Sequence, residues 1–307
     1  MPLPPDRGHI RTEQPHQATP LDQRDLAGMV NAIIEDQSHA AEAVYAARNR
    51  IEAFIDALVP RVAQGGRLFY VGAGTSGRLG VLDASECPPT FNANPDQVIG
   101  LIAGGDAALR TSSESLEDDP TDAQSILNQH HINEHDSVVG IAAGGSTPWV
   151  LGAIDEAHRI GAMTALLTCA KLPSHAVADH HILLDTGPEL VTGSTRMKAG
   201  TATKITLNTI TTCLFVRLGK VYQSRMIDLR ATNQKLHDRC LRILHSFVPT
   251  LSRESANQIL DAADGCLRTA IMMSHLDASA DQARNVLEQS DWNLSEAMNF
   301  CDGHKAP

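Results

Sequence analysis

The sequence predicts an α/β protein, with a parallel sheet covered by helices on both faces and a small all-helical domain after it. Between residues 67 and 185, apolar runs of strand length alternate with segments of helical character. Strands that are apolar throughout and are joined by helices are typical of a parallel sheet with both faces buried. Beyond Asp228 the strand pattern disappears, and only short helical segments remain.

The elements follow from hydrophobic periodicity and from the residues that end each run. Apolar side chains at helical spacing over 23–62 predict two helices, the second of them long, which end at Gly65 and Gly66. The predicted strands are 67–71, 97–103, 137–143, 163–169 and 181–185. The predicted helices of the α/β region are 76–85 (stopped before Pro88 and Pro89), 123–129, 148–160 and 197–218. The C-terminal helices are predicted at 236–247, 254–260, 267–273, 280–289 and 294–300, with Ser279 and Asn293 as caps.

These elements divide the chain into three regions. Residues 1–20 are polar and lack the apolar core of a secretion signal, so we expect a flexible N-terminal arm. Residues 21–228 form the α/β domain with its N-terminal helices, and residues 229–307 form the helical domain. With 307 residues the chain is long enough for one large core and one small one.

The composition argues against several classes of function. A net charge of -11 disfavours binding to nucleic acids or to anionic membrane surfaces. No apolar stretch approaches the roughly 20 residues that span a bilayer. Six widely spaced cysteines without a C-x-x-C pair fit reduced thiols in a cytoplasmic protein. The fourteen histidines show no metal-binding pattern, so no metal is expected.

Two loops follow predicted strands with glycines and then hydroxyl side chains. After the first strand comes Gly72-Ala73-Gly74-Thr75-Ser76-Gly77, and after the third comes Ala143-Gly144-Gly145-Ser146-Thr147-Pro148. A strand that turns tightly into a helix gathers free backbone N–H groups at the positive end of the helix dipole, which suits an anion. Two such loops on consecutive crossovers favour a phosphate site. The alternative is that Ser76 and Thr147 only cap their helices.

The first loop also matches the dinucleotide-binding pattern G-x-G-x-x-G, which is a weak signal by itself. That pattern requires an acidic residue about 20 positions further on, at the end of the second strand, to hold a ribose. The second strand ends instead in Ala103-Gly104-Gly105, and Asp106 comes too late. A nicotinamide cofactor is therefore disfavoured.

Carboxylates near these loops are candidate acids and bases. Asp83 and Glu86 lie three apart on one face of the predicted helix 76–85. Glu86 is expected at the C-terminal end of this helix, where carbonyl groups raise a carboxyl pKa if solvent is excluded. Glu114 and Glu117 follow the second strand and emerge at the same sheet edge. The alternative for each is a solvated carboxylate.

A third hydroxyl-rich helix start carries cations. Residues 191–204 contain Ser194 and Thr195, followed by Arg196 and Lys198. The two cations are candidates to contact a phosphate or a carboxylate. The alternative is that Ser194 or Thr195 caps the helix and that both basic side chains are exposed.

These residues resemble the motifs of a known family. Residues 72–80 and 83–90 look like the signature of the N-acetylmuramic acid 6-phosphate etherases, residues 194–201 like its second motif and residues 231–236 like a third. The similarity runs from about residue 20 into the C-terminal helices. It implies the sugar isomerase (SIS) fold, a flavodoxin-like five-stranded parallel sheet that binds sugar phosphates. It also implies a homodimer with sites near the subunit interface.

The resemblance implies a carbon–oxygen lyase that removes D-lactate from C3 of the sugar, with no cofactor and no metal, and leaves N-acetylglucosamine 6-phosphate. The two active-site glutamates of the family fall on Glu86 and, by position, on Glu117, for which Glu114 competes. We assign Glu86 as the acid to the departing lactate and Glu117 as the base at C2, with the reverse assignment as the alternative. The candidate residues for the phosphate and the sugar are Gly74, Thr75, Ser76, Gly77, Gly145, Ser146, Thr147, Ser194, Thr195, Arg196 and Lys198.

One loop departs from the family pattern. Members commonly carry Ala-Ser-Gly-Arg-Thr-Pro where this chain has residues 143–148, so a serine and an arginine are missing and Ser146 supplies a replacement hydroxyl. Glucokinase regulatory proteins share the Gly-Thr-Ser-Gly loop and bind fructose phosphates without turnover, but they contain two SIS domains in a longer chain. Such a regulator is the principal alternative. A sugar-phosphate isomerase is the third possibility, and a nicotinamide enzyme is the most distant.

Overall fold

The computed structural model describes residues 6–111, 116–171, 177–229 and 233–303. The chain forms two compact units, each with its own hydrophobic core. The first unit comprises Met1–Glu86 and Pro95–Thr211, and the second comprises Cys87–Asn94 and Thr212–Pro307. Over the described ranges, no helix combines the length and the apolar character that crossing a membrane requires.

Two helices precede the sheet of the first unit. α1 (Leu26–Ala46) begins at Asp25, whose carboxylate accepts a 2.8 Å hydrogen bond from the Gly28 N–H, and α2 (Arg48–Ala63) follows it. The sequence predicted both helices but made the second the longer, whereas α1 has 21 residues and α2 has 16. No glycine or proline interrupts residues 29–46, so α1 continues to its last turn.

The sheet of the first unit is parallel and has five strands. They are β1 (Leu68–Gly72), β2 (Val98–Ile102), β3 (Ser137–Ile141), β4 (Met163–Thr168) and β5 (His180–Leu183). The helices that connect and follow them are α3 (Gly74–Phe91), α4 (Pro120–Gln129), α5 (Pro148–Ile160) and α6 (Lys198–Arg217). The strand order is β2-β1-β3-β4-β5, and β1, β3 and β4 are buried along their whole length. The predicted fold class is confirmed.

α3 is longer than the sequence predicted. The two prolines were expected to stop it, but the helix continues through Pro88 and Pro89 to Phe91. A proline inside a helix removes a backbone donor and costs about 3 kcal/mol. Phe91 offsets part of this cost, because its ring is buried and stacks on Phe215 at a centroid distance of 4.8 Å. Glu86 therefore lies inside the helix and not at its end.

In its described residues, the second unit contains helices and one short hairpin. Its helices are α7 (Gln234–Phe247), α8 (Arg253–Ala262), α9 (Leu267–Leu276), α10 (Ala280–Gln289) and α11 (Leu294–Gly303). All five were predicted, and Ser279 caps α10 as expected. The hairpin of β6 (Val221–Tyr222) and β7 (Arg225–Met226) was not predicted, because two-residue strands carry too little pattern. Gln223 and Ser224 form its turn with φ of 47° and 60°.

Candidate functional site

The candidate site lies where the strand order of the sheet reverses. β1 and β3 run side by side, with Gly72 opposite Ile141, while β2 and β4 lie on their outer sides. The connections that follow these two strands lead in opposite directions, and this opens a crevice at the C-terminal ends of the strands. Ligands of open α/β sheets bind in such a crevice. The loops after β1 and β3 are the two loops that the sequence indicated.

The loop after β1 is packed so closely that it requires glycine. A Cβ on Gly77 would stand 2.5 Å from the Gly72 carbonyl oxygen, and Gly74 has a φ of +52°. These glycines let α3 start directly at the strand end. Thr75 and Ser76 lie in the first turn of α3 and are half-buried. The positive end of the 18-residue helix is therefore located at the crevice.

The loop after β3 carries hydroxyls that do not cap the next helix. Gly145 turns the chain with a φ of +73°, and its N–H donates to the Ala142 carbonyl at 2.9 Å. Thr147 is the N-cap residue of α5, but its side chain makes no capping hydrogen bond to the described first turn. Ser146 and Thr147 are both partly exposed. The interpretation of Thr147 as a side-chain cap is therefore not supported.

Glu117 lies between the two loops. Its backbone carbonyl accepts a 3.0 Å hydrogen bond from the Trp149 N–H in the first turn of α5. Its carboxylate oxygen Oε1 lies 3.4 Å from where a Cβ on Gly74 would be. The sequence placed Glu117 at this sheet edge by position alone, and the structure brings its carboxylate to the β1 loop. The competing Glu114 lies outside the described residues.

Arg78 fixes the segment that leads from β2 towards Glu117. A short 3₁₀ helix, Gly105–Leu109, follows β2. The Arg78 guanidinium donates to the Ala108 carbonyl at 2.7 Å and to the Leu109 carbonyl at 3.2 Å. α3 therefore positions both the β1 loop and the start of the Glu117 segment. The sequence motif contained Arg78 but did not reveal this role.

The two carboxylates predicted to share a face of α3 have different surroundings. Asp83 is buried and accepts hydrogen bonds from the side chains of Asn208 (2.6 Å) and Thr211 (3.2 Å) on α6. Burial raises the pKa of the Asp83 carboxyl, and hydrogen bonds from Asn208, Thr211 and Tyr70 partly offset this rise. Glu86 is exposed. A solvent-excluded Glu86 at a helix end, as the sequence suggested, is therefore not present in the single chain.

The start of α6 is filled by a carboxylate of the protein itself. Glu189 is fully buried, and its oxygens accept hydrogen bonds from the backbone N–H groups of Lys198 (3.1 Å) and Ala199 (2.9 Å). Burial raises the pKa of Glu189, and the two amide hydrogen bonds partly offset the rise. Glu189, and not Ser194 or Thr195, therefore caps this helix. A single glutamate in the loop before the helix gave no sequence signal of this role.

Lys198 is buried with its charge already paired. Its Nζ lies 2.7 Å from the Asp36 carboxylate and donates to the Pro188 carbonyl at 2.9 Å. Only 3% of the Lys198 side chain is exposed. This placement does not support direct contact between Lys198 and a ligand. No local sequence pattern indicated Asp36 as a partner, because the two residues are 162 positions apart.

The first turn of α6 lies beside the β1 loop. A Cβ on Gly200 would be 3.6 Å from the Thr75 methyl carbon, and the Gly200 N–H donates to the Thr195 carbonyl at 3.0 Å. Ser194 and Thr195 are half-buried, and Arg196 is exposed. These three side chains of the predicted motif, just before α6, therefore stay at least partly accessible, in contrast to Lys198.

Part of the predicted N-terminal arm makes specific contacts at the sheet edge. Arg11–Glu13 forms a 3₁₀ helix in which Thr12 is fully buried. The Thr12 hydroxyl oxygen lies 3.8 Å from where a Cβ on Gly144 would be, in the loop after β3. Arg11 forms a 2.6 Å ion pair with Asp185, just after β5. The prediction of a flexible arm over residues 1–20 came from polar composition, which does not register a buried threonine or an ion pair.

Over the described ranges, no three His, Cys, Asp or Glu side chains cluster as a metal site would require. All six cysteines are free thiols. Burial raises the pKa of the Cys169 thiol to about 12, so this residue packs as a neutral side chain.

Comparisons with known proteins identify relatives along nearly the whole chain. Residues 50–158 match the family model of the glucokinase regulatory protein N-terminal SIS domain. The chain is 48% identical over 298 residues to an N-acetylmuramic acid 6-phosphate etherase of Synechococcus sp. strain CC9902, and the aligned region covers 96% of this chain and 94% of the relative. An etherase of the same name from Nostoc sp. strain PCC 7120 is 48% identical over 297 residues, with 95% and 96% covered. Among solved structures, a phosphoheptose isomerase from Neisseria gonorrhoeae is 15% identical, with a TM-score of 0.46 over 62% of this chain and 98% of that one.

Proposed function

Because this chain belongs to the N-acetylmuramic acid 6-phosphate etherase family, we propose that it cleaves the D-lactyl ether of N-acetylmuramic acid 6-phosphate. The products are N-acetylglucosamine 6-phosphate and D-lactate. The observation that carries the proposal is the position of Glu117, whose carboxylate lies beside Gly74 between two loops rich in glycine and hydroxyl groups. A base next to a phosphate-binding loop suits an elimination on a sugar phosphate.

We assign the 6-phosphate to the crevice between the loops after β1 and β3. Its donors are the amides of Gly74, Thr75 and Ser76 and the hydroxyls of Thr75, Ser76, Ser146 and Thr147. Gly77 and Gly145 donate their N–H groups within the protein, and we assign them to the close approach of the backbone to the phosphate. Ser194, Thr195 and Arg196 remain candidates for the rest of the substrate, including its lactyl carboxylate. Lys198 is assigned a positioning role, because Asp36 already pairs with its ammonium group.

The proposed reaction is an elimination followed by addition of water. In the open-chain aldehyde form of the sugar, a carboxylate removes the C2 proton, and the C2 electron pair becomes part of an enolate. The enolate expels the lactyl oxygen from C3, and a carboxylic acid protonates that oxygen. Water then adds at C3, and C2 takes up a proton. We assign Glu117 as the base at C2 and Glu86 as the acid, which makes the protein a carbon–oxygen lyase.

Glu86 needs a second subunit to reach the reacting atoms. Ser76 and Glu86 are ten residues apart on α3, which corresponds to about 15 Å along the helix axis. In a hexose 6-phosphate, five bonds of about 1.5 Å separate C3 from phosphorus, so C3 lies much closer to the phosphate than Glu86 does. Glu86 is also exposed in the single chain. We therefore place Glu86 of one protomer at the site of its partner in a homodimer.

The first test is release of D-lactate from N-acetylmuramic acid 6-phosphate by the purified protein. Glu117→Gln is expected to lower kcat by about 10²- to 10⁴-fold, because the C2 proton loses its acceptor. Binding of N-acetylglucosamine 6-phosphate should persist in this variant. Glu114→Gln is the matched control, and wild-type turnover in Glu117→Gln would move the base to another residue.

The second test asks which subunit supplies Glu86. Glu86→Gln and Glu117→Gln homodimers, each inactive, are mixed and allowed to exchange subunits. A mixed dimer has one site with Glu117 of one chain and Glu86 of the other, so activity should return to about a quarter of wild type. If both glutamates act within one chain, no mixed dimer has an intact site, and activity stays at background.

A sugar-phosphate-sensing regulator is the second candidate, because residues 50–158 match the regulatory-protein SIS domain. A protein of that kind binds a sugar phosphate without turnover. Tight binding of fructose 6-phosphate, with no lactate release from N-acetylmuramic acid 6-phosphate, would select the regulator over the etherase.

We also propose a cytoplasmic location for the protein. Its six free cysteines support this, since free thiols persist in reducing compartments. Fractionation of cells that express the tagged full chain, followed by detection of the tag in the cytoplasmic fraction, checks the location.

A further inference from the structure

A cavity of about 350 Å³ lies within the C-terminal unit. Its volume falls in the range of pockets that bind small molecules. None of its lining residues belongs to the loops or glutamates assigned to the reaction. The cations in its wall are Lys220, Arg268 and Arg284, and the carboxylates are Asp228 and Asp264. Together with Asp281, which pairs with Arg284, three carboxylates balance these three cations, so an anionic ligand depends on the N–H donors that the carboxylates leave free.

The carboxylates do not use all the hydrogen-bonding capacity of the cations. Asp228 pairs with Lys220 and, at 2.5 Å, with Arg268. Arg284 pairs with Asp264 and, at 3.2 Å, with Asp281, which is 90% exposed. Each guanidinium carries five N–H donors, so donors remain at both arginines.

Two buried side-chain atoms at the cavity wall have no partner among the described residues. The Arg268 side chain is 8% exposed, and its Nε–H donates to nothing. Thr269 is fully buried, and its hydroxyl has no hydrogen-bond partner. Buried polar groups are nearly always satisfied in folded proteins, so each such exception needs an explanation. A ligand anion in the cavity would satisfy both.

These two residues also start a helix. α9 has ten residues, and its N-cap residue, Cys266, makes no side-chain hydrogen bond to the first turn. The Leu267 N–H donates to the Leu229 carbonyl at 3.3 Å. Arg268 and Thr269 follow at the next two positions, where backbone N–H groups have no partner inside the helix. The positive end of the α9 dipole therefore acts at the same wall of the cavity.

Trp292 forms part of the wall and is held in an unusual conformation. Its φ is +59°, a left-handed value that bulky residues rarely adopt. The Arg268 guanidinium lies 5.6 Å from the centre of the indole ring and donates to the Trp292 carbonyl. Backbone strain of this kind concentrates at ligand sites. An indole in a polar cavity also offers a flat apolar surface to a sugar ring.

We propose that this cavity binds the phosphate group of a small phosphorylated sugar. Arg268 Nε, the Thr269 hydroxyl, Arg284 and the first amides of α9 approach from different directions, which suits the several acceptor oxygens of a phosphate. The volume exceeds what inorganic phosphate needs, and the remaining space borders Trp292.

The test uses the full-length protein labelled with 5-fluorotryptophan. The chain has two tryptophans, Trp149 and Trp292, so the ¹⁹F spectrum has two signals, which Trp292→Phe assigns. We expect N-acetylglucosamine 6-phosphate to shift the Trp292 signal with its own saturation curve. A shift with inorganic phosphate as well would show that the phosphate alone is recognised. Absence of a Trp292 shift with both compounds would overturn the proposal.

Three variants locate the binding. Thr269→Val should weaken the Trp292 response about threefold or more without lowering Tm, because the hydroxyl it removes has no partner among the described residues. Arg284→Gln should weaken the response about tenfold. Arg242→Gln is the matched control, since it removes an exposed arginine that pairs with Asp238 away from the cavity. Equal weakening in Arg242→Gln and Arg284→Gln, or wild-type affinity in Thr269→Val, would contradict the proposal.

Discussion

Two helices that begin in the first unit have similar sequences at their starts, but these starts lie in different environments. α3 begins at Gly74-Thr75-Ser76-Gly77, and α6 follows Gly193-Ser194-Thr195-Arg196. The first turn of α3 is at the crevice, whereas the first turn of α6 is occupied by the Glu189 carboxylate. A helix start rich in glycine and hydroxyls is therefore an anion site only where the protein has not supplied its own anion.

Two cations at the start of α6 also differ in their environment. Lys198, inside the first turn of α6, is buried against Asp36. Arg196, two residues earlier, is exposed. The sequence motif treated the two as equivalent candidates. Burial separates a residue that holds the fold together from one that is free to meet a ligand.

The largest effect should come from breaking the buried pair beneath α6. Lys198→Met leaves the buried Asp36 carboxylate without its ammonium partner and with only the more distant rings of His16 (3.5 Å) and His39 (3.7 Å), so the free energy of unfolding should fall by about 3 to 5 kcal/mol. Urea denaturation measures this. Arg196→Met, at an exposed position, should change stability by at most about 0.5 kcal/mol.

A double variant separates structure from binding. Asp36→Asn combined with Lys198→Met removes both charges, and much of the lost stability should return. If Lys198→Met is as stable as wild type but has a raised KM, Lys198 contacts the substrate and the positioning role is wrong.

The next effect tests the open helix start against the filled one. Ser76→Asp puts a carboxylate in the first turn of α3, which should stabilise the fold by about 0.3 to 1 kcal/mol through the helix dipole. The same carboxylate should repel the substrate phosphate and raise KM about tenfold or more. Thermal unfolding and lactate-release kinetics measure the two quantities.

Thr195→Asp is the matched change before α6. Glu189 already occupies that helix start, so a second carboxylate should destabilise the protein. A stability gain in Thr195→Asp, or an unchanged KM in Ser76→Asp, would remove the distinction between the two helix starts.

The sheet and its loops could be predicted because their signals are local. β1, β3 and β4 are buried along their whole length, so each is an apolar run that ends at a polar or glycine-rich turn. The glycines of the β1 loop are required by a backbone approach that any side chain would block. The five C-terminal helices were found from periodicity in the same way.

The partners inside the site could not be predicted, because they depend on contacts between distant residues. Asp36 meets Lys198 across 162 positions, and the Asp83 carboxylate meets Asn208 across 125. The burial of Thr12 at the loop after β3 has no local signature either. In each case a polar residue that the sequence would place in solvent is held by tertiary contacts.

A smaller effect comes from the carboxylate that connects α3 with α6. Burial raises the pKa of Asp83 in the folded protein above its ordinary value of 3.8, which the unfolded chain keeps. At a pH between 3.8 and the raised pKa, the folded protein therefore holds a proton that the unfolded chain has released. Stability should therefore fall as pH rises through this window, by about 1.4 kcal/mol for each pKa unit of the rise. Asp83→Asn keeps an acceptor for Asn208 and removes the titration.

The measurement is the difference in unfolding free energy between Asp83→Asn and wild type as a function of pH. The variant should gain relative to wild type as pH rises from 3.8 and then level off above the raised pKa. A difference that stays flat over this range would mean that Asp83 titrates alike in the folded and unfolded chains.

The smallest effect concerns the loop that departs from the family pattern. Gly144 has ordinary space around it, since a Cβ there would lie 3.8 Å from Ile10 and Thr12 and 3.9 Å from the Ser146 hydroxyl. Gly144→Ser therefore restores a hydroxyl without strain, and one added hydrogen bond to the phosphate should lower KM about threefold. Gly145→Ser is the contrasting change, because its φ of +73° makes a side chain cost about 1 to 2 kcal/mol of stability. If Gly144→Ser leaves KM and product affinity unchanged, the loop after β3 does not hold the phosphate, and the β1 loop would be the sole anion site of the pair.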